Sequence, residues 1–370
     1  MSQTRNTGID LLRLVLMFFI IMGHLFTHTP IREILPVLSA KGLWCWGTQS
    51  ICLCAVNCFV LITGYFMIRA RWKLEHLLKL WLTILLYGLG IGALFVLIGK
   101  APLSPALILN MCFPILRRVW WFMSAYVLLY LFIPFLNAGL QRLTPRQFAF
   151  LAAGITVIFY ILPIFGFFFP PYDPLTGMSI TGFVTLYILG AYLATQKITL
   201  SPKWCIAGLV VSNLCILGSK ILLDFIVDKY HLGTGTGLLY HYNTAFELCN
   251  GVLLLLLFAQ FKFTRASKFI VGAASGVFAV YLLHEHPLMR KMLWQSGLLS
   301  FLQQSSALEF AAISVVIPVI ILAVGIGIDK IVRLLLLNNI FRSHLWGKII
   351  ALCHRFDLFL ADKGDLCQTR

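Results

Sequence analysis

Arg13 and His24 are the residues of this sequence whose types and spacing most directly imply chemistry. They lie eleven residues apart in the apolar run IDLLRLVLMFFIIMGHLF. On a helix that separation is about three full turns plus 20°, with a rise of about 16 Å, so both side chains look the same way. Histidine, with an unperturbed pKa of about 6.5, accepts a proton at neutral pH and returns it. It can serve as general base for a hydroxyl attacking an acyl carbonyl. Arginine keeps its charge and offers five fixed donors, which suits phosphate or a developing oxyanion. Asp10, three residues before Arg13, is placed for an i,i+3 ion pair. The plainer account has Arg13 snorkelling to headgroups and His24 ending a helix near water. An ionisable group at mid-depth of a bilayer costs about 2.5 kcal/mol or more. Two such groups on one face therefore point to a shared interior cleft reaching both leaflets.

Other polar residues lie in or beside apolar runs. NCFVLITGYF carries Asn57, Thr63, Gly64 and Tyr65, and Arg69, Arg71, Lys73, His76 and Lys79 follow it. The basic run is either the cytoplasmic flank of a span or a site for an anionic, nucleotide-like donor. Trp120 and Trp121 begin a span, as an interfacial belt would. Asn243 and Glu247 are i,i+4. Tyr281 and His284 share a face in AVYLLHEHPL, and His286 points elsewhere. Cys54 and Cys58 share a helix face too. Neither has a histidine or carboxylate beside it, so no metal site is expected. No GxSxG, HExxH or P-loop is present, which excludes the usual soluble hydrolase and ATPase sites.

The elements that must position these residues are membrane spans. The 370 residues are 60% hydrophobic and only 11% charged, with a mean hydropathy of +0.91. A soluble chain of this length needs far more charged surface. The pattern predicts an all-α, polytopic transmembrane helical bundle of about ten spans. They fall near 9–27, 44–68, 77–99, 119–140, 147–169, 180–196, 204–226, 241–261, 268–287 and 308–336. The stretch 103–118, interrupted by Pro102, Pro105 and Pro114, reads as re-entrant or interfacial. The first run holds an arginine and a histidine and lacks a small-x-small site, so it reads as a retained span rather than a cleaved signal.

Charge sets the orientation. With the N-terminus inside, the inner loops carry Arg5, Arg69, Arg71, Lys73, Arg142, Arg146, Lys197, Lys203, Lys262, Arg265 and Lys268, and seven more cations follow from Lys330 onward. The outer loops carry Arg32, Lys41, Lys100, Arg117, Arg118, Lys229, Arg290 and Lys291. This bias of 18 to 8 puts both termini in the cytoplasm. The formal net charge of +16 then belongs to loops facing anionic lipid, and nucleic acid is not expected as a partner. Two outer loops are distinctive: FFFPPYDPLTGMS (167–179) and HLGTGTGLLYHYN (231–243). A membrane domain over 1–336 and a basic cytoplasmic tail over 337–370 complete the organisation. The tail reads as amphipathic against the inner surface.

In this order and spacing the chain resembles the membrane-bound acyltransferase-3 family. IDLLRLVLMFFIIMGH carries the family's arginine, ten residues, then histidine. NCFVLITGYFMI resembles its Phe-rich second span with Ser/Thr-Gly-Tyr/Phe. VWWFMSAYVLLYLFIPFL resembles its Trp-Phe…Tyr…Pro span, with Trp121 as the match, and ASGVFAVYLLHEHPL its late Ser…Tyr-x-x-His segment. The resemblance covers residues 8–335.

The resemblance implies an acyl-CoA donor, usually acetyl-CoA, on the cytoplasmic side as co-substrate, with no bound cofactor. The acceptor it implies is a hydroxyl of a surface glycan or lipid-linked saccharide outside a cell membrane. It assigns His24 as base or acyl-handling group and Arg13 to donor binding or site orientation. The family's pair of arginines two apart after the second span is not matched cleanly. His76 and Lys79 hold the closest place, with Arg69 and Arg71 upstream, and these four are the candidate donor-binding residues. Asp10, Asn57, Trp121, Glu247, Tyr281 and His284 are the candidate lining residues. A transporter or flippase for a lipid-linked or small anionic substrate is the alternative, since intramembrane Arg and His also line transport paths. Two matching halves, frequent in transporters, are not evident in the sequence. A glycan polymerase is a more distant alternative.

Overall fold

The computed structural model describes residues 5–167, 177–231, 237–264, 267–295 and 297–361. Most of the Pro-rich loop at 167–179, residues 232–236 of the Gly/Thr-rich loop, Arg265 and the end of the tail lie outside the described residues.

Every regular element among the described residues is helical. Eight helical segments are long and apolar enough to span a bilayer: 7–28, 40–67, 74–97, 121–140, 145–165, 202–230, 267–285 and 307–341. The helices Ile180–Thr195 and Ala245–Ala259 are apolar but shorter. They fall at the sixth and eighth expected spans, so a polytopic bundle with ten apolar helical segments results. The 103–118 stretch forms only the short helix Pro105–Cys112.

We label the helices that position the site in chain order: α1 (Thr7–His28), α2 (Ala40–Cys52), α3 (Cys54–Met67), α4 (Leu74–Leu97), α5 (Trp121–Leu140), α6 (Ile180–Thr195), α7 (Pro202–Tyr230), α8 (Ala245–Ala259), α9 (Ser267–Ala274), α10 (Val277–Glu285), α11 (Pro287–Trp294), α12 (Ala307–Val332) and α13 (His344–Ala361). The second and ninth spans are each built from two helices, α2 with α3 and α9 with α10. After α12 the chain continues as a helix through a π-turn at Arg333–Leu337 to Phe341. It therefore passes the expected boundary at 336 without a break.

Helix α1 is the hub, packing against α2, α3, α8, α9, α10, α11 and α12. Its start is fixed by Asn6, whose side-chain oxygen accepts from the backbone N–H of Gly8 at 2.9 Å and of Ile9 at 3.2 Å. That cap satisfies amides a helix end leaves open. The Asn6 amide also donates to the Ala259 carbonyl at 2.9 Å, tying α1 to the end of α8. At its far end Thr29 donates its hydroxyl to the Leu25 carbonyl. Peripheral helices show the reverse of a soluble pattern. On α7, Ile206, Val210, Val211, Leu214, Leu222 and Phe225 are exposed, and on α12, Val316, Val319, Ile320, Val324 and Ile331 are exposed. Apolar surface facing outward in such continuous stripes belongs in hydrocarbon.

The tightest packing in the bundle joins α3 to α6. A Cβ at Gly64 would overlap the Tyr187 carbonyl, and one at Gly190 would overlap the Leu61 carbonyl. The two helices thus approach backbone to backbone through small residues, a common solution where lipid removes the hydrophobic drive. Cys54 and Cys58 serve packing as well: their thiols donate to the carbonyls of Ile51 and Gly251. Gly64→Val should lower stability by about 3 kcal/mol or more through overpacking. Gly90→Ala, in a helix interior where nothing lies within 4 Å, should keep or slightly raise it. Melting curves of the two purified variants in detergent check this.

Candidate active site

The α1 residues Arg13, Met17, Ile20, His24, Thr27 and His28 face one cavity of about 890 Å³. Their steps of three and four make a single stripe. Other walls come from Val56, Phe59, Ile62 and Thr63 of α3, from Trp121, Phe122 and Tyr126 of α5, and from Phe278, Tyr281 and Glu285 of α10. Arg5 and Arg13 lie at one end, and His24, His28, Arg32, Glu285 and Arg290 at the other. By the loop-charge bias, the guanidinium end faces the cytoplasm.

Asp10 organises the guanidinium end. Its carboxylate is 1% exposed and accepts from Arg5 Nε at 2.6 Å and Arg13 Nη1 at 3.0 Å. Sitting in the first turn of α1, it also meets the positive end of the helix dipole. Thr63 and Tyr126 pair by their hydroxyls at 3.3 Å on the wall between the two ends.

Glu285 organises the imidazole end. Its Oε2 lies 3.1 Å from His24 Nδ1 and 3.0 Å from His28 Nε2, and its Oε1 accepts from Arg290 Nη1 at 3.0 Å. His24 Nδ1 is also 3.0 Å from His284 Nε2. His284 Nδ1 is 2.6 Å from the Val280 carbonyl oxygen. A carbonyl only accepts, so His284 Nδ1 carries the proton and His284 Nε2 is left as an acceptor. His24 Nδ1 must then donate, shared between His284 Nε2 and the Glu285 carboxylate. That tautomer leaves the lone pair of His24 on Nε2, available to the cavity. The constellation is a histidine oriented by a carboxylate, the arrangement that prepares an imidazole to take a proton from a hydroxyl.

Aromatic residues brace α10 in this register. The Trp120 indole donates to the Leu282 carbonyl at 3.2 Å and meets the His286 ring edge-on at 5.3 Å. Trp121 faces the cavity between Phe183 and Tyr242. His241 and Tyr242, in the loop before α8, also line it. Burial lowers the His241 pKa. Burial pushes Tyr242 up to about 12, with the Glu285 and Glu247 charges adding to it. Both are therefore neutral at the mouth.

Among the sequence candidates, the cavity is lined by Arg13, His24, Trp121 and Tyr281. Asp10 and His284 stand directly behind lining residues. Asn57 and Glu247 lie deeper: the Asn57 amide donates to the Tyr242 carbonyl at 2.7 Å, and Glu247 is fully buried in the first turn of α8. Arg69, Arg71, His76 and Lys79 are not among the lining residues. Arg69 donates to the Ala194 carbonyl, and Lys79 pairs with Glu75 at 2.5 Å. Arg71 borders a small groove of about 130 Å³ with Lys73, Glu75 and, from α13, Cys353, His354 and Asp357. Sequence reasoning did not single out Glu285, His28 or Arg290 for the site. The i,i+4 spacing of His24 and His28 was a usable signal. Glu285 sits beside His284 in the sequence, but its role depends on how α10 docks on α1.

A family model for an acyltransferase domain matches residues 6–328. The chain belongs to acyltransferase family 3. No curated protein and no solved structure matches it. Membership makes the chain a multi-pass membrane acyltransferase, and the matched span contains every residue that lines the acyltransferase cavity except Arg5.

Removing the anion between the two guanidiniums of this acyltransferase should destabilise it. Asp10→Asn should lower stability by about 1–2 kcal/mol, less than for a fully buried pair because both arginines are partly exposed. The double variant Arg13→Gln/Asp10→Asn should recover part of that loss. Melting temperatures of the single and double variants measure both effects.

Proposed function

We infer that this acyltransferase moves an acyl group, ordinarily acetyl, from cytoplasmic acyl-CoA to a hydroxyl of an extracytoplasmic glycan or lipid-linked saccharide, in the cell membrane. One observation carries the reading: a single cavity has two guanidiniums at the end assigned to the cytoplasm and an oriented histidine at the other. Arg5 and Arg13 offer the planar donors that diphosphate and phosphate groups accept. The rise of about 16 Å from Arg13 to His24 along α1 suits the extended arm that separates the diphosphate of CoA from its thioester.

In the reaction, His24 Nε2 takes the proton of the acceptor hydroxyl as its oxygen attacks the thioester carbonyl. The tetrahedral intermediate then collapses, the C–S bond breaks, and the proton on His24 passes to the departing thiolate. Glu285, through His24 Nδ1, orients the ring and stabilises the imidazolium that forms between these steps. Lining by Trp121, Tyr242 and Tyr281 suits a saccharide, whose ring has an apolar face and a rim of hydroxyls.

The test is transfer of radiolabelled acetyl from acetyl-CoA to a glycan extract by purified protein. His24→Ala should lower the rate by about 10²–10⁴-fold with expression intact. A His24→Ala variant that transfers at the wild-type rate would refute the assignment. Substrate flux in proteoliposomes without acetyl-CoA would favour a transporter.

A further inference from the structure

We propose that His24, His284 and Glu285 form a Zn²⁺ site at the outer end of the cavity, and that zinc bound there blocks proton abstraction by His24. The second clause rests on the acyl-transfer reading; the first does not. One ligand atom from each residue lies within 4.8 Å of the others. The closest pairs are 3.0 Å between His24 Nδ1 and His284 Nε2 and 3.1 Å between His24 Nδ1 and Glu285 Oε2. A tetrahedral zinc with bonds of about 2.0–2.1 Å separates its ligand atoms by about 3.3 Å. Those two pairs need to open by only a few tenths of an ångström to seat a metal, and His284 Nε2 and the Glu285 carboxylate already lie within 4.8 Å of each other.

The outer partners are those of a metal site. His284 donates its Nδ1–H to the Val280 carbonyl at 2.6 Å, which turns its Nε2 lone pair toward the cluster. Arg290 holds Glu285 Oε1 and leaves Oε2 to the cluster, where His28 Nε2 lies 3.0 Å away. His24 and Glu285 both line the cavity, so a fourth position would open to water or a hydroxyl. Two imidazoles and one carboxylate favour zinc over magnesium or calcium, which require more oxygen ligands. The Arg290 charge offsets that of Glu285, so the affinity is expected near the micromolar range rather than that of a structural zinc.

Zinc at His24 Nδ1 requires the lone pair there. The proton now on Nδ1 must move to Nε2, with no net gain or loss. Nε2 then donates and cannot take the proton of a hydroxyl. The ligands come from chain segments 260 residues apart, so no local spacing in the sequence marks the site.

The experiment uses the full chain in detergent, stripped with EDTA and dialysed against micromolar ZnCl₂ with millimolar MgCl₂. Zinc per protein is read by elemental mass spectrometry, and affinity by calorimetry. One zinc per chain is expected. Affinity should fall at least tenfold in His284→Ala and in Glu285→Gln, and should not change in His344→Gln, an exposed tail histidine. Should the cluster variants fail to fold, Co²⁺ in the wild-type protein reports instead through the visible absorption of a four-coordinate site. Acetyl transfer should fall over the same zinc range and return with EDTA. Absent stoichiometric zinc, affinity unmoved by the cluster variants, or no cobalt band would overturn the site. A rate that rises with zinc would overturn the block. Zinc binding by protein that shows no acetyl transfer under any condition would leave the site standing and refute the acyl-transfer reading.

Discussion

A charge inside hydrocarbon must have a partner, and that constraint shapes both ends of this cavity. Two carboxylates, Asp10 and Glu285, carry the load. Asp10 holds Arg5 and Arg13, and Glu285 holds His24, His28 and Arg290. The first carboxylate lies on α1, and the second reaches α1 from α10. The polar stripe of α1 is therefore pinned at its cytoplasmic end from within the helix and at its outer end by a neighbour. A third buried acid follows the same rule elsewhere: Asp329 pairs with Arg333 at 2.5 Å and accepts from the Tyr87 hydroxyl at 3.0 Å.

The scaffold serves that stripe. Helix α1 packs against eight other helices and buries Ile9, Leu12, Leu16, Ile21, Met22, Leu25 and Phe26 among them. The close contact of α3 with α6 through Gly64 and Gly190 seats the α3 wall of the cavity backbone to backbone against α6. Trp120 fixes the height of α10 through a buried hydrogen bond to Leu282, which sets where Glu285 meets His24. Outer helices such as α7 and α12 contribute few buried residues and present leucine, isoleucine and valine to lipid.

Much of this was legible before any coordinates. Hydropathy located the spans because a bilayer demands long apolar runs, and even the short helices Ile180–Thr195 and Ala245–Ala259 fell where expected. Helical periodicity put Arg13 and His24 on one face, since an eleven-residue spacing needs no tertiary information. What depends on docking was not legible. Glu285 and Arg290 join the site only because α10 and α11 pack against α1, and Arg5 joins it only because Asp10 draws it inward. The basic run at Arg69–Lys79 looked like a donor site from charge alone. In the fold, Arg69 donates to the Ala194 carbonyl at the end of α6, Lys79 pairs with Glu75 one turn away, and the α13 helix packs against the start of α4, where Asp357 accepts from the Leu74 amide at 3.0 Å.

The most direct test of the account is an electron cryo-microscopy structure of the protein with a non-hydrolysable acetyl-CoA analogue. The account predicts the diphosphate against Arg5 and Arg13, the arm along the α1 stripe, and the acyl carbonyl within reach of His24 Nε2. Analogue density in the Arg71–Asp357 groove, with the α1 cavity empty, would contradict it.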